Sequence, residues 1–320
     1  MGKIRRLVFM LIILALAIIS ACNNKEKRDP ELRSSQVDTL SSLNDTLVIE
    51  PIEADQINNQ GLTEIDYPKL SVIIDDFGNY NNFMLDSLLV KFGTLPSEVA
   101  FAILPNLPYS EFVMEYFQFT NRELLLHTPM EPLNSKINAG DVVISSSDDA
   151  IDIVNKLGAF YNALPQVKGL NNHMGSRATE NSEVMAAVLS WCKENNLFFV
   201  DSATTSKSIA FNLAKEIGIP TAKRDIFLDV PNASKENVDK YLVKMNNYFK
   251  AGRDILVITH ASTLERRDNL QYFIDEAKKI GYLLVPVSEY LTYPQDSILP
   301  DDLTKNNLFR QKHSNNIEKS

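Results

Sequence analysis

Two adjacent carboxylates and three histidines carry the reactive chemistry of this sequence. Asp75 and Asp76 close the apolar run "LSVIID" and lead into Phe77-Gly78. His127 follows Leu124-Leu125-Leu126, His173 follows "VKGLNN", and His260 closes "DILVITH". Three of the chain's four histidines therefore sit at the ends of short apolar runs. Imidazole and carboxylate groups together hold divalent cations such as zinc. The same set leaves one group to take a proton from water and another to give one to a leaving group. The implied chemistry is metal-assisted hydrolysis. Taken alone, Asp75-Asp76 reads equally well as a strand terminus with helix-capping aspartates.

Other polar residues crowd the same kind of position. Glu131 stands four residues after His127 in "HTPMEP", where two prolines restrict the loop. It is a second candidate ligand. "NNHMGSR" is dense in polar groups directly after an apolar run, and buried polar groups need partners. Asp201-Ser202 ends the run "LFFVD". Arg224-Asp225 follows a short run and belongs either to the site or to a salt bridge closing the sheet.

Something must bring these run ends together. The runs at 70–75, 99–104, 123–127, 167–172, 197–201, 219–225, 254–260 and 282–287 are strand-like. Helical patterns separate them. One begins near Ser147, with Asp148 and Asp149 in its first turn. Another is capped by Thr179, Asn181 or Ser182. A third ends at Gly218. Two more cover 234–251 and 263–280. Repeated β-then-α units predict a parallel sheet covered by helices. The expected fold class is α/β, as a distorted (β/α) barrel of about seven parallel strands over residues 67–293. In such a barrel the strand ends and the loops after them form one site. No G-x-G-x-x-G or P-loop pattern supports a nucleotide-binding sheet.

Residues outside 67–293 read differently. Lys3, Arg5 and Arg6 precede an apolar run from Leu7 to Ile19, which ends in Ser20-Ala21-Cys22. This order resembles a bacterial lipoprotein signal. It implies cleavage before Cys22, lipidation of Cys22, and a membrane-anchored place in the bacterial cell envelope. Residues 23–66 are polar and poor in aromatics, so they read as a disordered tether. Residues 294–320 read as a flexible polar tail. Cys192 is the only other cysteine and is expected as a free thiol. A net charge of −9 with no basic stripe argues against nucleic acid as a partner.

The blocks "IIDDFG", "HTPMEP", "GLNNHMGSRAT", "FFVDSATTSKSIAFNLAKEIGIP", "RDIFLD" and "ITHAS" resemble those of the divergent polysaccharide deacetylases. The resemblance covers residues 69–291. It implies the distorted barrel of the metal-dependent glycan deacetylases, a zinc-like divalent metal and an acetylated glycan substrate. It also implies roles: Asp75 as base, Asp76 and His127 as metal ligands, and His260 as general acid. The ordinary deacetylases have a second histidine four residues after the first, where this chain has Glu131. Either Glu131 or His173 then completes the ligand set. Imidazole is the commonest nitrogen ligand for zinc, which favours His173. Asp201 or Asp225 would orient His260, and Arg224 would fix a carboxylate. Two other readings compete with hydrolysis of an acetyl group. One is a binding module that has lost activity. The other is a sugar hydrolase using Asp75 and Asp201 as paired acids.

Overall fold

The computed structural model describes residues 67–78 and 82–292. The lipoprotein-like signal, Cys22, the polar tether and the polar tail all lie outside the described residues. Among the described residues, nine strands form one sheet. They are β1 (Lys69–Phe77), β2 (Ala100–Ile103), β3 (Leu124–Met130), β4 (Gly169–Met174), β5 (Phe198–Asp201), β6 (Thr221–Lys223), β7 (Ile226–Phe227), β8 (Ile255–His260) and β9 (Leu283–Leu284). Their order is β6-β5-β4-β3-β2-β1-β8-β7, with β9 paired to β1. Every pairing between them is parallel.

The sheet closes through one split run. β6 and β7 are two residues apart, and the backbone between them changes partner. Arg224 N–H donates to the Asp201 carbonyl at 3.0 Å, whereas Asp225 N–H donates to the Leu256 carbonyl at 2.9 Å. The first half of the run thus bonds to β5 and the second to β8, which in turn pairs with β1. The result is a seven-sided circuit of parallel strands, the expected distorted barrel. The strand count exceeds seven because this run divides and β9 adds a short pair beside the start of β1. The strand expected over 282–287 is confined to β9, Leu283–Leu284. Pro286 has no N–H for a ladder and instead leads into a short helix, Val287–Tyr290.

Seven longer helices among the described residues accompany the strands: α1 (Asn82–Gly93), α2 (Ser110–Phe117), α3 (Ala150–Ala163), α4 (Ser182–Glu194), α5 (Ala210–Ile217), α6 (Lys235–Lys250) and α7 (Leu264–Ile280). The Val287–Tyr290 helix is α8. Asp149 caps α3 by accepting from Ile151 N–H and Asp152 N–H, so the helix starts later than Ser147. Asp148 is held instead by Lys156 Nζ at 2.6 Å. Asn181 caps α4, because Thr179 is engaged with the Gly175 carbonyl in the preceding turn. Such caps typically stabilise by ~1 kcal/mol each. Gly218 ends α5 at φ 82°, a conformation open to glycine at little cost.

Alternation along the strands separates two apolar layers. Leu70, Val72 and Ile74 of β1 join the layer that includes the helices. Ile73 joins Ala100, Ala102, Leu125, Phe198, Val200, Ala222, Leu256 and Ile258, which fill the barrel. Gly169 makes room there. A Cβ at that position would lie 2.2 Å from the Phe198 ring. Val287 and Leu291 join the interior layer beside the strand starts and floor the barrel. Pro68 accepts from Leu283 N–H, and Thr221 and Thr292 exchange backbone hydrogen bonds at the same end. Cys192 is buried and forms no disulfide among the described residues.

Candidate active site

The polar site continues the interior rows at the opposite end. A step of two residues from an inward apolar side chain keeps the same face. Ile73 leads to Asp75, Leu125 to His127, Val200 to Ser202, Ala222 to Arg224, and Ile258 to His260. Gly169 leads to Asn171 and then to His173. Asp75 and His260 are register partners on β1 and β8, and His127 and Asn171 are partners on β3 and β4. Asp76 is out of phase with this pattern. The β1–β2 register shifts between Ile74 and Phe77, and Asp76 adopts φ 69°. This irregular turn brings its carboxylate back to the centre. A left-handed aspartate is strained, and such strain gathers where function over-determines the backbone.

Three ligand atoms converge there. Asp76 Oδ1 lies 3.3 Å from His127 Nε2 and 3.1 Å from His173 Nδ1. The two ring nitrogens are 3.1 Å apart. A tetrahedral zinc site with bonds near 2.0–2.1 Å has ligand–ligand edges of about 3.3–3.4 Å. The triangle therefore fits a divalent cation. Among the described residues, Asp76 Oδ1 is also buried without a hydrogen-bond partner of acceptable geometry. Burial would raise the Asp76 pKa, but the contacts with His127 and His173 outweigh it and hold the carboxylate ionised.

Asn171 links this centre to Asp75. Its Nδ2 donates to Asp75 Oδ1 at 2.7 Å, and its Oδ1 lies 2.9 Å from His127 Nδ1. Asp75 Oδ2 is 3.7 Å from His127 Nε2. Burial pushes the Asp75 carboxyl up, against the pull of His127 and His260. Burial disfavours charge on His127, yet Asp75 and Asp76 raise its affinity for a proton.

His260 has a partner that sequence reasoning did not single out. Asp229, inside the quoted block "RDIFLD", lies two residues beyond Phe227 and is nearly buried. Its Oδ1 and Oδ2 are 3.1 and 3.0 Å from His260 Nδ1. His260 N–H donates to Asp229 Oδ2 at 3.1 Å, and Arg266 Nη1 lies 3.2 Å from the same oxygen. Burial alone would lower the His260 pKa, but Asp229 overrides it and pushes it up to about 9. Its folded pKa is raised, so its contribution to stability is complete below the ordinary 6.5 and lost as pH rises through about 9. In an Asp229→Asn variant, His260 is expected to titrate well below 9, toward 6.5. Imidazole proton NMR across that range measures this, and an unmoved titration would remove Asp229 as the cause.

Asp201 and Asp225, expected to orient His260, do not reach it. Asp201 points to the other face of β5, where it accepts from Ala203 N–H and Ser208 Oγ at 2.8 Å each. It ties down its own loop. Asp225 accepts from Leu256 N–H at 2.8 Å and pairs with Arg253. It therefore lies beside the start of β8, whereas His260 ends that strand. Arg224 does face the site, but it fixes no carboxylate. Its Nε and Nη2 donate to the Ser202 and Ala203 carbonyls at 2.6 and 2.7 Å. The guanidinium stacks on Phe227 at 3.6 Å, and Phe227 stacks on His260 with centroids 5.6 Å apart. Glu131 is absent from the ligand cluster. Its Oε2 accepts from Ser145 Oγ, Ser146 N–H and Ser146 Oγ, and its Oε1 pairs with Arg177 Nε at 3.2 Å.

The parallel barrel with a carboxylate–imidazole cluster at its strand ends is the architecture expected from the sequence blocks, and comparison with known sequences gives the family. The divergent polysaccharide deacetylase family matches residues 72–291, so the chain belongs to that family. An uncharacterized protein of Haemophilus influenzae is 34% identical over 165 residues, covering 51% of this chain and 56% of that protein. The uncharacterized protein YibQ of Escherichia coli is 32% identical over 162 residues, covering 50% and 49%. The matched part of this chain thus spans about half the length of each of these relatives. The crystal structure of an uncharacterized protein from Agrobacterium tumefaciens C58 superposes with a TM-score of 0.61 at 19% identity, covering 72% of this chain and 92% of that one. That likeness shows the fold.

Proposed function

We propose that this chain removes N-acetyl or O-acetyl groups from a cell-envelope polysaccharide with one divalent cation, zinc by preference. The observation that carries the reading is the convergence of Asp76 Oδ1, His127 Nε2 and His173 Nδ1 within 3.3 Å of one another, beside Asp75 and His260. When bound, the cation supplies Lewis-acid polarisation of the acetyl carbonyl and makes water a better nucleophile.

The chain's own groups do the rest. Asp75 takes the proton of the attacking water, and its burial strengthens it as a base. His260, on the neighbouring strand, gives a proton to the leaving nitrogen or oxygen. Asp229 keeps that imidazole protonated at neutral pH and, with Arg266, fixes its plane. Phe227 and Arg224 form a wall beside it. In this reading residues 1–22 direct the chain to the envelope and lipidated Cys22 anchors it in a membrane. The support is the basic, apolar, small-residue and cysteine order of that segment.

The test uses the purified chain, assayed for bound metal and for acetate release from N-acetylated chito-oligosaccharides, peptidoglycan and O-acetylated glycans. Release from at least one substrate is expected, stopping with chelator and returning with added zinc. A chain that binds no divalent metal would instead favour a glycan-binding module.

A further inference from the structure

One fully buried polar side chain at the centre has no part in the chemistry above. Asn171 is 0% exposed on the inward row of β4. It touches both Asp75 and His127, and its Nδ2 also lies 3.4 Å from Ser202 Oγ.

Its orientation follows from what each neighbour can accept. An ionised carboxylate offers acceptors only, so the amide must present its NH₂ group to Asp75. The carbonyl oxygen is then left facing His127 Nδ1, which must carry the hydrogen. In the neutral ring that a metal ligand must be, the lone pair then lies on Nε2, the atom facing Asp76 and His173. We propose that Asn171 is a positioning residue that sets the His127 tautomer for metal binding and, through the same amide, holds the Asp75 carboxylate. The proposal rests on the reading of the site as a metal centre with Asp75 as its base.

Side-chain chemistry narrows the choice at this position. A carboxamide presents an acceptor and a donor side by side. Leucine has nearly the same shape and offers neither. Aspartate keeps an acceptor for His127 but has no donor for Asp75. Arg224 cannot substitute, because Nε and Nη2 donate to backbone carbonyls. Partners of metal-bound histidines typically matter by 10–100-fold in metal affinity.

The experiment measures zinc affinity by calorimetry, and the His127 Nδ1–H signal by NMR of the zinc-loaded chain. Wild type is compared with Asn171→Leu and Asn171→Asp. The leucine variant is expected to bind zinc about 10–100-fold more weakly, with its Nδ1–H signal lost to exchange. The aspartate variant should keep wild-type affinity or better and retain the signal. In the Asp75→Ala variant, the Asn171 side-chain amide signal should move and exchange faster. A leucine variant indistinguishable from wild type would overturn the tautomer assignment. Equal losses in the leucine and aspartate variants would do the same, since they would report only general disturbance. An Asn171 amide signal indifferent to Asp75→Ala would overturn the link to Asp75. Wild type that binds no zinc would sink the metal-centre reading itself, a result distinct from the others.

Discussion

Asp76→Ala and His127→Ala are each expected to abolish tight metal binding, whereas Asp75→Asn should keep the metal and lose turnover by about 10²–10⁴-fold. The division follows from geometry. Asp76 Oδ1 and His127 Nε2 are two corners of the ligand triangle, and each is 3.1 Å from the third, His173 Nδ1. Asp75 stands behind His127, 3.7 Å from Nε2, and is held by Asn171. Asparagine in its place keeps the shape but cannot take a proton. His173→Ala should lose metal as Asp76→Ala does. Glu131→Ala should retain it, because that carboxylate is bound to Ser145, Ser146 and Arg177. Metal content and acetate release measured on the same preparations decide the matter. Equal metal loss in all five variants would defeat the division between ligands and base.

The second large effect concerns the leaving group. His260→Ala should spare metal affinity and slow hydrolysis of an acetamide by about 10²–10⁴-fold, while barely affecting an activated phenyl ester. An amine leaves only with a proton; an activated phenolate leaves without one. The imidazole is suited to the task because Asp229 pushes its pKa up to about 9, so it remains charged at neutral pH. The rate with wild type should fall as pH rises through that value. Loss on both substrates alike would mean that His260 is not the acid.

The strand ends were legible because β-branched and leucine runs stop where polar residues begin. Of the two candidates for the remaining ligand, Glu131 lies apart from His127 for a physical reason, and the favoured His173 lies beside it. Four residues are neighbours along a helix but span roughly 13 Å along a strand. The β3 strand continues to Met130, so Glu131 is carried away from the His127 ring. His173, two residues past the register partner of His127, arrives instead from β4. Asp201 was misplaced by one step of alternation, since Ser202 holds the inward position. Asp225 was misplaced because the run from 221 to 227 changes partner in the middle, which no local pattern announces. Asp229 escaped notice because it follows a strand of only two residues. Asp76 reaches the centre only through φ 69°, a backbone choice invisible in residue type.

Pro68 and Thr292 both hydrogen-bond beside the strand starts, at the floor sealed by Val287 and Leu291. The reactive groups lie at the other end. Any mooring fused at either position, whether a bead, a sensor chip or a lipid, grips the barrel from below. A short probe grafted at Pro68 would report on the floor and not on the cluster at the far strand ends. Either position is accordingly a place to immobilise the protein without covering the carboxylate–imidazole cluster.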